Sequence, residues 1–158
     1  MGSMDTIVGQ GDQLGKEAIE GANESSIISE DFSEVREGTD AAAGFDIDDD
    51  LKSAVEAAKE AARGEAQSDL QESRNSLDAK SGEMDQVKED INAKITDNES
   101  AISSVEGISS SYGADKISSF IDSANQNSDM GREGIESMDS MLAKASAKLD
   151  DIENSIRD

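Results

Sequence analysis

The sequence contains no histidine, cysteine, proline or tryptophan, and its aromatic residues are three Phe and one Tyr. Without cysteine there is no disulfide framework and no thiol nucleophile. Without histidine the commonest general base and metal ligand is missing. Without proline, helices can run uninterrupted, since a helix-interior Pro costs about 3 kcal/mol. No apolar run approaches the roughly 18 residues of a membrane span, and no basic-then-apolar start resembles a secretory signal. Large apolar residues are also scarce. Leu, Ile, Val and Phe together make up about 18% of the 158 residues, below the ~20% at which high net charge accompanies disorder.

Positive charge is in short supply too, with 14 basic against 37 acidic residues and a net charge of −23. That balance excludes nucleic-acid binding through phosphate neutralisation and docking on an anionic membrane face. It suits solubility through self-repulsion, a partner with a basic groove, or adaptation to high salt.

What the chain does have is periodicity. From Ile117, alternating steps of four and three give Ile117, Ile121, Ala124, Ser128, Gly131, Ile135, Met138, Leu142, Ala145, Leu149, Ile152 and Ile156. Between them lie mostly Asp, Glu, Lys, Ser and Asn. A 3.5-residue repeat held this long places one narrow seam along a helix. At about 1.5 Å per residue, forty residues span roughly 60 Å, and such a helix must find the other wall of its seam elsewhere.

A second run starts at Leu51 and continues through Val55, Ala58, Ala62, Ala66, Leu70, Leu77, Met84, Ile91, Asn98 and Val105, the last six spaced by seven. Val87, Ile95, Ala101, Ile102 and Ile108 widen it into a face. Gly64 and Gly82 have no turn chemistry around them, which favours one continuous helix. Asn98 on the seam either fixes the pairing register, as a buried Asn does in coiled coils, or lies exposed near a bundle end.

Between the two runs, Gly107-Ile-Ser-Ser-Ser-Tyr-Gly-Ala114 reads as a turn, and Asp115 stands where a helix-starting carboxylate belongs. A short link makes the two helices antiparallel neighbours, with 117–156 covering roughly 68–107.

The start of the chain repeats the pattern more weakly, in Ile7, Gly11, Leu14, Ala18, Gly21, Ser25, Ile28, Phe32 and Val35. Each Gly costs about 1 kcal/mol relative to Ala in a helix. These small residues either let another helix approach closely or mark a frayed helix. The sparse seam and an excess of twelve negative charges in residues 1–50 place 5–45 at the low-stability end, where a partner would order them.

The domain reading is therefore a cloning scar at 1–3, an N-terminal helical segment at 4–36, a linker at 37–47 and a helical hairpin at 48–158 with its turn near 107–115. The fold class is all-α: a long, coiled-coil-like antiparallel hairpin with an additional N-terminal helical segment.

No chemistry is marked. Asp46-x-Asp48-x-Asp50 has the first three ligand positions of a calcium loop, but Leu51 stands where Gly is needed and Ala57 where Glu is needed. The cluster reads better as a helix N-terminus. Gly9-x-Gly11-x-x-x-Gly15-Lys16 lacks the spacing and preceding strand of a phosphate loop. A carboxylate di-metal site would normally use Glu-x-x-His, which cannot occur here. No catalytic residue, metal ligand, cofactor or small-molecule substrate is expected, and the chain reads as a non-enzyme.

An acidic, cysteine-free helical hairpin with a Gly-containing turn resembles the small helical proteins of type VII secretion, either the Trp-x-Gly hairpins or the helical partners of Leu-x-Gly toxins. The turn here carries Tyr112-Gly113, and Tyr112-Gly-Ala-Asp115 is one residue shorter than the family's C-terminal Tyr-x-x-x-Asp/Glu signal. The resemblance implies a non-catalytic protein that pairs with another helical chain and travels with it, or presents it for export. Its location would be cytoplasmic, or secreted without a cleavable signal peptide.

The expected interaction seam comprises Ile117, Ile121, Ile135, Met138, Leu142, Leu149, Ile152 and Ile156, with Leu70, Leu77, Met84, Ile91 and Val105 opposite. The partner is another helical protein or a second copy of the chain. The competing class is a structural, self-assembling coiled-coil protein of a salt-adapted organism. Leu142→Asp should lower the thermal midpoint far more than Lys144→Asp. Burying an unpaired carboxylate costs several kcal/mol against a few tenths for a surface change. Equal losses would show the register to be wrong.

Overall fold

The computed structural model describes residues 2–107 and 113–157. These are 95% helical with no strand among them. Four helices follow in order: α1 (Gly2–Glu24), α2 (Ser26–Ala43), α3 (Asp49–Glu106) and α4 (Ala114–Arg157). The all-α antiparallel hairpin is α3 and α4, and the N-terminal segment is α1 and α2.

Local chemistry explains the boundaries. Asp48 caps α3, its Oδ1 accepting the Leu51 N–H at 2.9 Å. Asp49 and Asp50 occupy the first turn, facing the positive end of the helix dipole. The acidic cluster thus serves the helix start. α3 then runs 58 residues straight through Gly64 and Gly82.

The α1–α2 break is slight, because Ser25 keeps helical angles of φ −66 and ψ −13. Its hydroxyl donates back to the Gly21 carbonyl at 2.9 Å, a bond that bends helices. The linker read over 37–47 is shorter than expected. α2 continues to Ala43 on its Ala-rich end, and only 44–48 connect it to α3. The expected turn near 107–115 falls largely on 108–112, including Ile108 and Tyr112, which lie outside the described residues. Gly113 beside them has φ 83, a left-handed conformation that only Gly adopts cheaply.

Two compact units form: one from the described residues of Met1–Glu17 and Lys80–Met141, the other from those of Ala18–Ala79 and Leu142–Asp158.

In the first unit, α3 and α4 run antiparallel. Asn98 is half-buried, and its Nδ2 donates to the Ser128 Oγ at 3.1 Å and to the Ala124 carbonyl at 3.4 Å. The amide therefore pairs across the seam and does not sit exposed. Lys88 pairs with Asp139 and Arg132 with Glu99, again across the two helices.

α1 lies parallel to α4 and locks into it reciprocally. Met138 and Met141 of α4 fill the space above Gly11 and Gly15 of α1. In return, Val8 and Met4 of α1 occupy the space above Gly134 and Gly131. A Cβ on Gly15 would lie 2.5 Å from the Met141 Sδ, and one on Gly134 would lie 2.9 Å from the Val8 Cγ1, both below any ordinary contact.

The second unit has its own core. Phe32, Leu70, Leu149, Ile152 and Ile156 pack with four alanines, Ala18, Ala22, Ala66 and Ala145. Each large side chain here contributes about 1.5–3 kcal/mol on burial, and the alanines much less. α3 again meets its neighbours antiparallel. Ser25 and Ser73 share a 2.7 Å hydrogen bond, Lys59 pairs with Asp40, and the Arg63 guanidinium lies 5.5 Å from the Phe32 ring centroid.

The N-terminal segment is thus packed, with Met4, Ala18, Ala22 and Phe32 all buried. Of the two readings of its small residues, close approach of another helix is the one found, at Gly11 and Gly15. Its phase shifts as well. Gly11, Ala18, Ser25 and Phe32 face inward as read, but Gly15 and Ala22 are buried in place of Leu14 and Gly21, and Val35 is exposed. Gly134→Val should therefore destabilise the protein by about 1–3 kcal/mol through overpacking against Val8. Gly82→Ala, with nothing near its added methyl, should stabilise it by about 0.4–1 kcal/mol. Urea unfolding of both variants checks the pair, and like signs would contradict the interlock.

Candidate interaction surface

The seam residues are interior. Leu70, Met84, Ile91, Met138, Leu149, Ile152 and Ile156 are buried. Leu77, Val105, Ile117, Ile121, Ile135 and Leu142 are half-buried. They face other helices of the same chain, so this seam is core and not a free docking face. The walls come from within the chain: α3 and α4 face each other as expected, α1 closes on α4 at Gly131–Met141, and Phe32 of α2 joins the cluster of Leu149, Ile152 and Ile156.

Apolar side chains left outside the core form a different set. In the second unit Ile27, Val35, Phe45 and Leu51 are 59%, 39%, 70% and 52% exposed, and in the first unit Phe120 and Met130 are 44% and 39% exposed. Ile27 and Val35 border an open cleft between α2 and α3 of about 140 Å³. Its walls are Ile27, Ile28, Phe32, Val35, Ala62 and Ala66, and its charged lining is Asp31, Glu65 and Asp69. Sequence reading missed this cleft because Ile27 lies off the repeat. An off-repeat Ile beside the Ile28–Phe32–Val35 stripe was the available signal.

A second cleft in the same unit lies between α3 and α4 and is polar. Arg74 spans it, donating to Asp150 at 3.0 Å and Glu153 at 2.7 Å. The Asp150 hydrogen bond is the main influence raising the Arg74 guanidinium above its ordinary value. Arg157 donates to the same Glu153 at 3.1 Å. These cations are therefore already engaged.

Among the described residues no three acidic, His or Cys side chains come together to hold a metal ion. No buried side-chain nitrogen or oxygen lacks a hydrogen-bond partner there. No described helix is long and apolar enough to cross a membrane. Comparison with protein-family models, with curated proteins and with solved structures returned no match.

One carboxylate has a marked environment. Lys80 of α3 donates to Glu17 of α1 at 3.0 Å, and Gln13 donates to it at 3.4 Å. The Lys80 hydrogen bond, then that from Gln13, hold the Glu17 carboxyl below its ordinary value. A depressed carboxyl stabilises the fold above its unfolded pKa, and that stabilisation fades as pH falls through the folded pKa. Carboxyl titration followed by NMR should place Glu17 below the ordinary 4.5, and Lys80→Met should move it upward. An unchanged midpoint would mean that the α1–α3 ion pair does not form in solution.

Proposed function

We propose that this chain is a non-catalytic interaction protein that pairs its helices with those of another helical chain. On this reading it acts as an adaptor or export-associated partner of the type VII kind. The observation that carries the reading is the set of large apolar side chains left exposed on helices whose own seams are already filled, and on the 44–48 connection between two of them. Ile27, Val35, Phe45, Leu51 and Phe120 keep apolar area in water that a partner's helix would cover. The export half rests on the resemblance of the acidic, cysteine-free hairpin and its Gly-containing turn.

The mechanism differs from burial of the central seam. Because Met138, Leu149 and Ile152 are interior, a partner meets the outer faces and leaves the bundle closed. The competing class, a self-assembling coiled-coil protein, would use the same faces between copies.

A photocrosslinking amino acid placed at Phe45 or Phe120, both exposed, tests the reading in the organism of origin. The expected result is an adduct with one other chain, helical by circular dichroism, together with a monomer by sedimentation at low and molar salt. Adducts only between copies, growing with concentration, would replace the adaptor with self-assembly. Absence of the chain from the culture medium would remove the export half.

A further inference from the structure

The α2–α3 cleft carries a more specific reading, which rests on the helix-pairing function above. We infer that it receives a basic amphipathic helix of a partner protein, its apolar side chains in the cleft and its Lys or Arg residues against the rim.

The floor is apolar and already folded. Phe32 is 2% exposed and fixed in the core, while Ile27 and Val35, eight residues apart on α2, stand at 59% and 39% exposure. Eight residues of helix rise about 12 Å, or two turns, which matches anchors at i, i+3 or i+4, and i+7 on an incoming helix. The volume of about 140 Å³ is close to that of an engineered apolar cavity that admits benzene, so one Leu or Phe anchor fits.

The rim decides the partner's charge. Asp31 on α2 and Glu65 and Asp69 on α3 border the cleft, no cation lines it, and none of the three has an ion-pair partner among the described residues. Elsewhere α3 meets its neighbours through paired charges, as at Lys59–Asp40, Arg74–Asp150 and Lys80–Glu17. At this face the three carboxylates stand beside exposed aliphatics with no salt bridge of their own, and the Arg63 guanidinium over the Phe32 ring is already paired with Glu60. A second copy fits poorly, because it brings a net −23 and several of its cations are already committed. A partner helix with flanking Lys or Arg removes apolar area from water and meets the rim with opposite charge.

The experiment uses the full chain and three labelled 18-residue peptides: an amphipathic Leu/Lys helix, the same residues scrambled, and a Leu/Glu counterpart. Binding is followed by fluorescence anisotropy. The amphipathic basic peptide should bind at least tenfold more tightly than either of the others. Ile27→Ser with Val35→Ser, at exposed positions that leave the helical spectrum intact, should weaken it at least tenfold, whereas Phe120→Ser should not. Asp31→Asn, Glu65→Gln and Asp69→Asn together should flatten its salt dependence, since screening acts on those carboxylates.

Equal binding of the scrambled peptide, or no effect of the Ile27/Val35 change, would overturn the cleft as the site. Crosslinking from Phe45 or Phe120 that persists in that variant would then show helix pairing to lie elsewhere. A dimer abolished by Ile27→Ser and Val35→Ser would make a second copy the occupant, overturning the basic partner while leaving the pairing reading in place.

Discussion

The fit of α1 against α4 depends on glycines facing methionines and a valine. Residues 4, 8, 11 and 15 of α1 meet 131, 134, 138 and 141 of α4, and at each level one helix provides a large side chain and the other a hydrogen. Neither helix offers a continuous apolar stripe there, so the contact draws its strength from proximity. Dispersion is individually tiny and grows with the number of atoms brought into range, which close backbone approach maximises. Met suits the task because its unbranched thioether adapts to irregular space. This explains how a chain so poor in large aliphatics encloses a core at all. The second unit uses the same economy with alanine, where Ala18, Ala22, Ala66 and Ala145 line a core dominated by few large side chains.

Charge is distributed to the same end. α3 supplies most of the cations in the pairs between helices, with Lys59 and Lys80 reaching α2 and α1, and Arg74 and Lys88 reaching α4, while Arg132 of α4 reaches Glu99 of α3. Exposed pairs of this kind contribute at most about 1 kcal/mol each. Their greater effect is to set which acidic faces can lie together, since α1, α2 and α4 would otherwise repel one another. Around Asp31, Glu65 and Asp69 no such pair forms among the described residues and the surface is also partly apolar, in one cleft.

Much of this was legible in the sequence. Large aliphatics at seven-residue spacing, from Leu70 to Ile91 and from Ile135 to Ile156, announce α3 and α4 and their antiparallel pairing. The Asp46–Asp50 cluster announces a helix start because the calcium pattern fails at Leu51 and Ala57. The phase of α1 was not legible. Gly15 looks no more interior than Gly21, and only the position of Met141 on another helix decides between them. Gly38 beside a run of alanines resembled a linker, yet α2 persists to Ala43 and Asp40 finds Lys59 across from it. The cleft was hidden for a related reason. A repeat reports what faces inward, and Ile27 faces outward.

The half-buried amide of Asn98 has a consequence for the uniqueness of the fold. A seven-residue repeat is its own decoy, because sliding α4 along α3 by one heptad returns apolar residues to apolar neighbours. Such a slide would set Asn98 against Ile121 or Ile135 in place of Ser128, with no hydroxyl to accept its N–H. A donor shut off from water without an acceptor costs about 1–3 kcal/mol. One polar pair inside the contact thereby penalises the arrangements one heptad away on either side.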